Sequence, residues 1–142
     1  MTIYTKTETE TEAAGAALAE RLSPGAVVAL YGDLGAGKTC FVRGLARGLG
    51  IAARVSSPTF TIVNEYRSAA GKELFHFDMY RLNSADELFD VGWEDYLRRG
   101  AVCAVEWSEN VEEAFEGDEI TVRISTLPDG ARKIEIGGGT VC

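Results

Sequence analysis

The sequence predicts a single α/β domain over residues 1–142, a three-layer sandwich with a mostly parallel sheet and a C-terminal antiparallel hairpin. Three observations support this class. Short apolar runs alternate along the chain with helix-like segments. A glycine-rich turn joins the first of these runs to an amphipathic segment. The length of 142 residues, with 46% hydrophobic and 25% charged residues, suits one hydrophobic core.

The first predicted elements are a helix and a buried strand. Thr9 and Glu12 have the spacing of a capping box, and the alanine-rich run that follows predicts a helix as far as Leu22. The tripeptide SPG at residues 23–25 ends this helix. Ala26–Tyr31 is an unbroken apolar run, which is typical of a strand buried on both faces.

The rest of the chain predicts two further helices and five strands. One helix carries an apolar residue at every fourth position, namely Phe41, Leu45 and Leu49. Ser84 and Glu87 repeat the capping-box spacing and predict a short helix. Apolar or β-branched runs predict strands at Thr59–Tyr66, Leu74–Asp78, Ala101–Glu106, Ile120–Ser125 and Arg132–Ile136. A PDG turn joins the last two strands as a hairpin.

Composition and charge exclude several classes of protein. No apolar run approaches the roughly 20 residues that cross a bilayer, and the polar, acidic N-terminus does not resemble a secretory signal. The three cysteines lack CxxC spacing, which favours reduced thiols and a cytoplasmic location. The net charge of −8 argues against unaided nucleic-acid binding. Residues 84–119 hold twelve acidic and two basic residues, either as a solvated face or as a docking surface for a basic partner.

The segment YGDLGAGKT, residues 31–39, carries the strongest functional signal. Its residues from Gly32 onward match G-x-x-x-x-G-K-[ST], the pattern of a phosphate-binding P-loop. Glycines let consecutive backbone N–H groups face one phosphate, and the following helix adds its positive end. We expect Lys38 to reach the β- and γ-phosphates and the Thr39 hydroxyl to bind Mg²⁺. The alternative is a plain glycine-rich turn, but the flanking strand and helix favour a P-loop NTPase-like fold.

A P-loop site also needs an acid, and two carboxylates end predicted strands. Glu106 follows the apolar run that begins at Ala101, and Asp78 ends the segment LFHFD. Either could contact Mg²⁺ directly, contact it through water, or orient the attacking water. Each could also be an ordinary surface carboxylate. The chain has neither N-K-x-D nor D-x-x-G, so ATP is favoured over GTP.

Four segments occurring in order resemble the bacterial TsaE family, also called YjeE: YGDLGAGKT, SPTFTIVNEY, HFDMYRL and VEW. The resemblance covers residues from about Thr11 to Trp107 and continues loosely into the hairpin. It implies one P-loop domain that hydrolyses ATP slowly and works with two proteins, TsaD and TsaB. That complex forms the threonylcarbamoyl group on adenosine 37 of tRNAs reading codons that start with A. The resemblance further implies that this chain meets tRNA only through the complex and does not make the threonylcarbamoyl-adenylate intermediate.

The resemblance also implies roles for particular residues. The phosphates would be wrapped by Gly35, Ala36, Gly37, Lys38, Thr39 and Cys40. The Mg²⁺ ligands would be Thr39 and Glu106, with Asp78 a catalytic acid or one that acts indirectly. Ser57–Phe60 would sense the γ-phosphate, Trp107 would lie beside the site, and Glu8 would contact the nucleotide. Two departures stand out, Cys40 in place of a common threonine and Ser108 in place of a common proline.

Other functions could use the same P-loop. A small-molecule or nucleotide kinase needs an acceptor pocket and lid arginines, for which the longest unassigned stretch offers only Arg98 and Arg99. A nucleotide-gated binding module would use ATP and ADP only to set its affinity for partners. Outside the P-loop, packing is favoured over catalysis for His76, the only histidine, and an edge-strand charge is the expectation for Arg132.

Overall fold

The computed structural model describes residues 1–33, 35–52, 55 and 62–138, and within them the chain forms one sheet with helices on both faces. The strands are β1 Thr2–Thr5, β2 Val27–Tyr31, β3 Val63–Arg67, β4 Glu73–Asp78, β5 Val102–Glu106, β6 Ile120–Thr126 and β7 Arg132–Gly138. The helices are α1 Glu8–Ala19, α2 Lys38–Gly48, α3 Ala85–Asp90 and α4 Trp93–Arg98. Two short 3₁₀ turns, Ser108–Asn110 and Glu112–Ala114, follow β5.

The sheet is mixed, with the order β1-β7-β6-β2-β5-β4-β3. Its four central strands, β6, β2, β5 and β4, are parallel, whereas β3 pairs antiparallel with β4, β7 with β6 and β1 with β7. The α/β class and the C-terminal hairpin are confirmed, and the parallel character belongs to the centre of the sheet. Only five residues connect β3 to β4, and five connect β6 to β7. Parallel neighbours need a crossover of about a dozen residues or more, so these pairs turn back as hairpins.

Helices on the two faces of the sheet create two separate cores. On one face, α1 and α2 pack on the sheet and bury the predicted stripe of Phe41, Leu45 and Leu49. On the other face, α3 and α4 pack around Trp93 and the β4 residue Phe77. Because the four central strands are parallel, their C-terminal ends lie at one edge of the sandwich, where ligands bind in open α/β sheets.

The packing of α1 on α2 is unusually close because glycine lies at the contact on both helices. A Cβ on Gly44 would overlap the carbonyl oxygen of Glu12, and a Cβ on Gly15 would overlap that of Phe41. These glycines have ordinary helical conformations, so the requirement is for space between the backbones. The contact brings the N-terminus of α1 next to the N-terminus of α2, where the predicted P-loop ends.

Both predicted capping boxes differ from the structure. Helix α1 begins two residues earlier than predicted, because Thr7 is the N-cap and its Oγ1 accepts from the backbone N–H of Glu10 at 3.1 Å. The repeat TKTETETE offers the same spacing at several positions, and the preceding strand β1, which the sequence did not predict, selects Thr7. Ser84 is the N-cap of α3, but its side chain makes no capping hydrogen bond. The carboxylate of Glu87 accepts instead from the N–H of Asn83 at 3.2 Å.

Two sequence predictions fall wholly or partly outside the described residues. The expected γ-phosphate sensor Ser57–Phe60 lies outside them, as does the first part of the predicted strand Thr59–Tyr66. The described part of that strand is β3, which runs from Val63 to Arg67. None of the helices in the described ranges is long and apolar enough to cross a membrane.

Candidate nucleotide site

The predicted P-loop joins the central strand β2 to helix α2. Gly35 and Gly37 have φ angles of 80° and 108°, a left-handed region that residues with a Cβ rarely adopt. Gly37 is also the N-cap of α2, and no side chain caps the N–H groups of that helix end. Backbone N–H groups and the positive end of the helix dipole therefore meet in one place, which favours an anion. Leu34 lies outside the described residues.

Lys38, the first residue of α2, lies folded against the loop. Its Nζ donates to the carbonyl oxygen of Gly32 at 2.5 Å and sits 3.5 Å from the centroid of the Trp107 ring. The side chain is almost fully buried. Burial lowers the pKa of the Lys38 ammonium, and nearby carboxylates, first that of Glu106, act in the opposite direction.

The structure brings together the two residues predicted as Mg²⁺ ligands. The Thr39 hydroxyl donates to the Glu106 carboxylate, at 3.0 Å to Oε2 and 3.3 Å to Oε1. Glu106 ends strand β5, which lies beside the P-loop strand β2, and only 4% of this glutamate is exposed. A hydroxyl and a carboxylate oxygen are ligands that Mg²⁺ prefers, and they meet just below the predicted P-loop.

The Glu106 carboxylate has a second hydrogen-bond partner, His76, for which the sequence favoured packing. Nε2 of His76 lies 2.5 Å from Oε2 of Glu106, and the histidine has no exposed surface. His76 lies on β4, the strand next to β5 in the sheet. The hydrogen bond identifies a polar role for a residue that local sequence presented only as part of the apolar run LFHFD.

Asp78 lies at the end of β4 and is paired in register with Glu106. It is partly buried, and its Oδ1 accepts from the N–H of Tyr80 at 3.0 Å. Burial raises the pKa of the Asp78 carboxyl, while the Tyr80 N–H acts in the opposite direction. Both predicted acids are therefore at the same edge of the sheet, although Asp78 is the more solvent-accessible of the two.

Trp107 lies beside the site in a backbone conformation that is rare for its residue type. Its φ angle of 58° is in the left-handed region, and it is the one described non-glycine residue with a positive φ. The Trp107 ring contacts both the Lys38 ammonium and the ring of Tyr80, whose centroid is 5.0 Å away. The next residue, Ser108, is buried and donates its hydroxyl to the carbonyl of Val105 at 2.8 Å, which anchors the turn after β5.

A cleft of about 160 Å³ opens on the other side of the P-loop, between the start of α1 and the C-terminal hairpin. Glu8 and Cys40 both line it, and the Cys40 thiol donates to the carbonyl of Glu8 at 3.2 Å. Arg132 also lines the cleft, and its Nη2 donates to the carbonyl of Gly35 at 3.2 Å. The expectation of an edge-strand charge for Arg132 is wrong, because β7 pairs with both β1 and β6. Arg132 lies 97 positions from Gly35, and only the hairpin brings the two residues together.

Among the described residues, no group of three or more His, Cys, Asp or Glu is arranged to hold a metal ion. Mg²⁺ does not require such a group, because it is usually held by one or two protein oxygens together with phosphate and water. Thr39 and Glu106 offer such a partial set.

A central parallel strand, a glycine loop, a helix N-terminus and an acid on the neighbouring strand define the class: the chain is a P-loop-type α/β protein. A sequence model of one family, described as threonylcarbamoyl adenosine biosynthesis protein TsaE, matches residues 5–134. The chain belongs to the TsaE family.

Individual relatives agree with this assignment. The chain is 42% identical over 125 residues to the TsaE protein of Bacillus subtilis, covering 88% of this chain and 77% of that protein. It is 41% identical over 122 residues to the TsaE protein of Treponema pallidum, covering 86% and 89%. The crystal structure of Bacillus subtilis YdiB superposes with a TM-score of 0.83 at 35% identity, over 99% of this chain and 86% of that one.

Proposed function

We propose that the chain binds ATP with Mg²⁺, hydrolyses it slowly, and serves the formation of threonylcarbamoyladenosine in tRNA. The observation that carries the ATP site is the contact between the Thr39 hydroxyl and the Glu106 carboxylate immediately beneath the P-loop. Family membership supports the pathway, because the relatives are named as tRNA threonylcarbamoyladenosine biosynthesis proteins.

In this proposal the phosphates lie on the backbone N–H groups of Gly35 to Cys40. The Lys38 ammonium now held by the Gly32 carbonyl and the Trp107 ring is within the same loop, so a turn of its flexible side chain can bring it to the phosphates. Thr39 and Glu106 would hold Mg²⁺, which supplies positive charge to the phosphate oxygens when bound.

Asp78 is the residue we assign to the attacking water. It lies beside Glu106 but is more accessible to solvent, and its carboxyl pKa is raised by burial. A carboxylate with a raised pKa is a better base and accepts a hydrogen bond from water at neutral pH. The Glu106 carboxylate, by contrast, already accepts hydrogen bonds from Thr39 and His76.

We place the nucleoside end of ATP toward the cleft between α1 and the hairpin. Glu8 lies at the start of α1 there, and Arg132 faces the cleft from β7. Both border the P-loop, so a nucleotide with its phosphates on the loop can extend into this space. The sequence lacks N-K-x-D and D-x-x-G, two motifs that usually accompany GTP binding in P-loop proteins, which favours adenine.

The partners in this proposal are TsaD and TsaB, and the product is the modified adenosine 37 of tRNAs that read codons starting with A. The net charge of −8 favours contact with tRNA through the complex rather than directly. The acidic stretch 84–119 provides charge that a basic partner surface could match. A cytoplasmic location follows from the tRNA substrate.

The alternative function, a small-molecule or nucleotide kinase, lacks support from the two arginines that could have formed a lid. Arg98 pairs with Asp95 at 2.8 Å and with Glu94 at 3.6 Å on its own helix. Arg99 pairs with Glu65 at 3.0 Å. Both precede β5 and so lie at the sheet edge opposite the P-loop.

The test is a reconstitution of tRNA threonylcarbamoylation with TsaD, TsaB and the enzyme that supplies the threonylcarbamoyl-adenylate, with and without this chain. We expect modification over repeated rounds only with the chain and ATP, and ATP turnover that rises when TsaD and TsaB are added. The Lys38→Ala variant is the matched control and should not support modification. Full modification without the chain would contradict the proposed role. Support of repeated rounds by a non-hydrolysable ATP analogue would indicate a nucleotide-gated binding module instead.

A further inference from the structure

We propose that His76 is a positioning residue, whose hydrogen bond selects one orientation of the Glu106 carboxylate for Mg²⁺. The inference rests on the proposed function, since it concerns the same metal site. It gives a role to a fully buried polar side chain that lies within an apolar strand and whose ring makes a hydrogen bond of 2.5 Å to Glu106.

Strand alternation explains how His76 reaches the site. Phe75 and Phe77 point into the core beneath α3 and α4, whereas Leu74 points into the core beneath α1 and α2. Side chains alternate along a strand, so His76 shares the face of Leu74, which is the face of the P-loop helix. The neighbouring strand β5 alternates in the same way and places Glu106 on that face.

The chemistry of the pair fixes which nitrogen carries the proton. An ionised carboxylate only accepts hydrogen bonds, so Nε2 of His76 must donate its N–H to Oε2 of Glu106. In the described part of the chain, Nδ1 of the same ring is buried and has no hydrogen-bond partner. A buried nitrogen without a partner destabilises a fold, so an apolar residue would suit packing better at this position. The hydrogen bond to Glu106 is therefore the polar role that the structure shows for this imidazole.

Glu106 needs such a partner because Thr39 alone does not choose between its oxygens. The Thr39 hydroxyl lies within hydrogen-bond distance of both, at 3.0 and 3.3 Å. The His76 hydrogen bond goes to Oε2, so Oε1 has the fewer hydrogen bonds of the two oxygens among the described residues. Ligating carboxylates are commonly held by such outer hydrogen bonds, and losing one typically weakens metal binding by about 10- to 100-fold.

Two substitutions separate positioning from packing. His76→Gln keeps an N–H donor close to the location of the imidazole Nε2, whereas His76→Met has similar bulk and flexibility but no donor. If His76 only packs, the methionine variant should match or exceed the glutamine variant in every property. If His76 positions Glu106, the glutamine variant should be better than the methionine variant, but only in properties that involve the metal.

The experiment measures ATP binding by calorimetry in EDTA and then across a Mg²⁺ titration, with Mn²⁺ binding followed by electron paramagnetic resonance. We expect His76→Met to raise the Mg²⁺ concentration needed for half-maximal tightening by about 10-fold or more. Its ATP affinity in EDTA should stay within about twofold of the unsubstituted chain, and His76→Gln should recover most of the loss. Equal Mg²⁺ requirements for the Met variant and the unsubstituted chain would overturn the inference.

A second measurement uses the unsubstituted chain and therefore does not depend on whether a variant folds. His76 is the only histidine, so the imidazole nitrogen signals in a ¹⁵N NMR spectrum are unambiguous. We expect Nε2 to be protonated, and we expect the ring signals to move when Mg²⁺ is added to the ATP-bound protein. Protonation of Nδ1 alone would overturn the inference whatever the activity. If the unsubstituted chain shows no Mg²⁺-dependent ATP binding, the proposed function fails first, which distinguishes the two outcomes.

Discussion

The C-terminal ends of the parallel strands form the P-loop edge of the sheet, and their N-terminal ends form the opposite edge. Each edge has a cation beside an aromatic ring, but the surroundings of the two cations differ. At the P-loop edge, the Lys38 ammonium lies 3.5 Å from the Trp107 ring centroid. At the opposite edge, the Arg99 guanidinium lies 4.4 Å from the Phe75 ring centroid. Arg99 is half-exposed and pairs with the carboxylates of Glu65 and Glu73. Lys38 is almost fully buried and donates to a backbone carbonyl.

Cavity volume and buried charge point to different edges of the sheet as the binding site. The opposite edge opens a cavity of about 600 Å³, lined by residues that include Leu22, Glu73 and Arg99, whereas the cleft beside the P-loop measures about 160 Å³. Yet the ammonium whose pKa burial lowers and the buried carboxylate beneath the loop both belong to the P-loop edge. Buried charged groups with shifted pKa values cluster at functional sites. The comparison therefore supports our proposal that the nucleotide binds at the smaller cleft, whereas Arg99 makes structural ion pairs.

The largest expected effect is the difference in ATP turnover between removing Lys38 and removing Arg99. Lys38→Ala should lower ATP turnover at least about 100-fold, because it removes the one lysine that our proposal brings to the ATP phosphates. Arg99→Ala should leave turnover within about twofold and lower the free energy of unfolding by about 1 kcal/mol or less, because its ion pairs are solvent-exposed. Steady-state ATPase assays and denaturant titrations of both variants check this. Equal losses of turnover would remove the distinction between the two edges.

Substitutions of the two acids at the P-loop edge, Glu106 and Asp78, should cause different defects. Glu106→Gln should raise the Mg²⁺ requirement of ATP binding by about 10-fold or more, since it weakens a metal ligand. Asp78→Asn should lower turnover about 100-fold with ATP still bound, since it removes the base for water. Mg²⁺ titrations of binding and single-turnover rates distinguish them. Matching profiles for the two variants would show that their roles are not divided in this way.

Arg132 tests whether the nucleotide extends into the cleft. Arg132→Ala should weaken ATP binding roughly 10-fold, which is the scale of one hydrogen bond to a charged group. Lys133→Ala is the matched control, because it removes the same charge one position along β7, where Lys133 pairs with Glu135 at 3.2 Å. Calorimetry on both variants gives the comparison. Equal affinities for the two variants would place the nucleoside elsewhere.

The smallest effect concerns stability and pH. Burial raises the folded-state pKa of Asp78 above the unfolded value, so the folded chain binds more protons between the two values. Stability contributed by this carboxyl is present at low pH and is lost as pH rises through the folded pKa. Asp78→Asn should therefore have a slightly higher Tm than the unsubstituted chain at pH 7. This difference in Tm should be smaller near pH 4. A Tm gain that does not change with pH would assign the effect to another cause.

Much of the site could be predicted because its signals are local. The glycine spacing of the P-loop, the Thr39 that follows Lys38, and acids at the ends of apolar runs are all readable within a few residues. The rule that parallel strands end at one edge then places Glu106 and Asp78 together, as the structure shows. The resemblance to the TsaE family was visible in four short segments for the same reason, and the comparisons confirm it.

The sequence by itself determined the α/β class, the P-loop and the acids near it, because each depends on short-range periodicity or on residue chemistry. Only the tertiary structure decided the position of strand β1, the choice of Thr7 rather than Thr9 as the N-cap of α1, and the contact of Arg132 with Gly35. It alone turned His76 from an apparent packing residue into a partner of Glu106. These features depend on pairing between segments that are distant along the chain, and the free energy of such pairing comes from burial and hydrogen bonds that no local pattern contains.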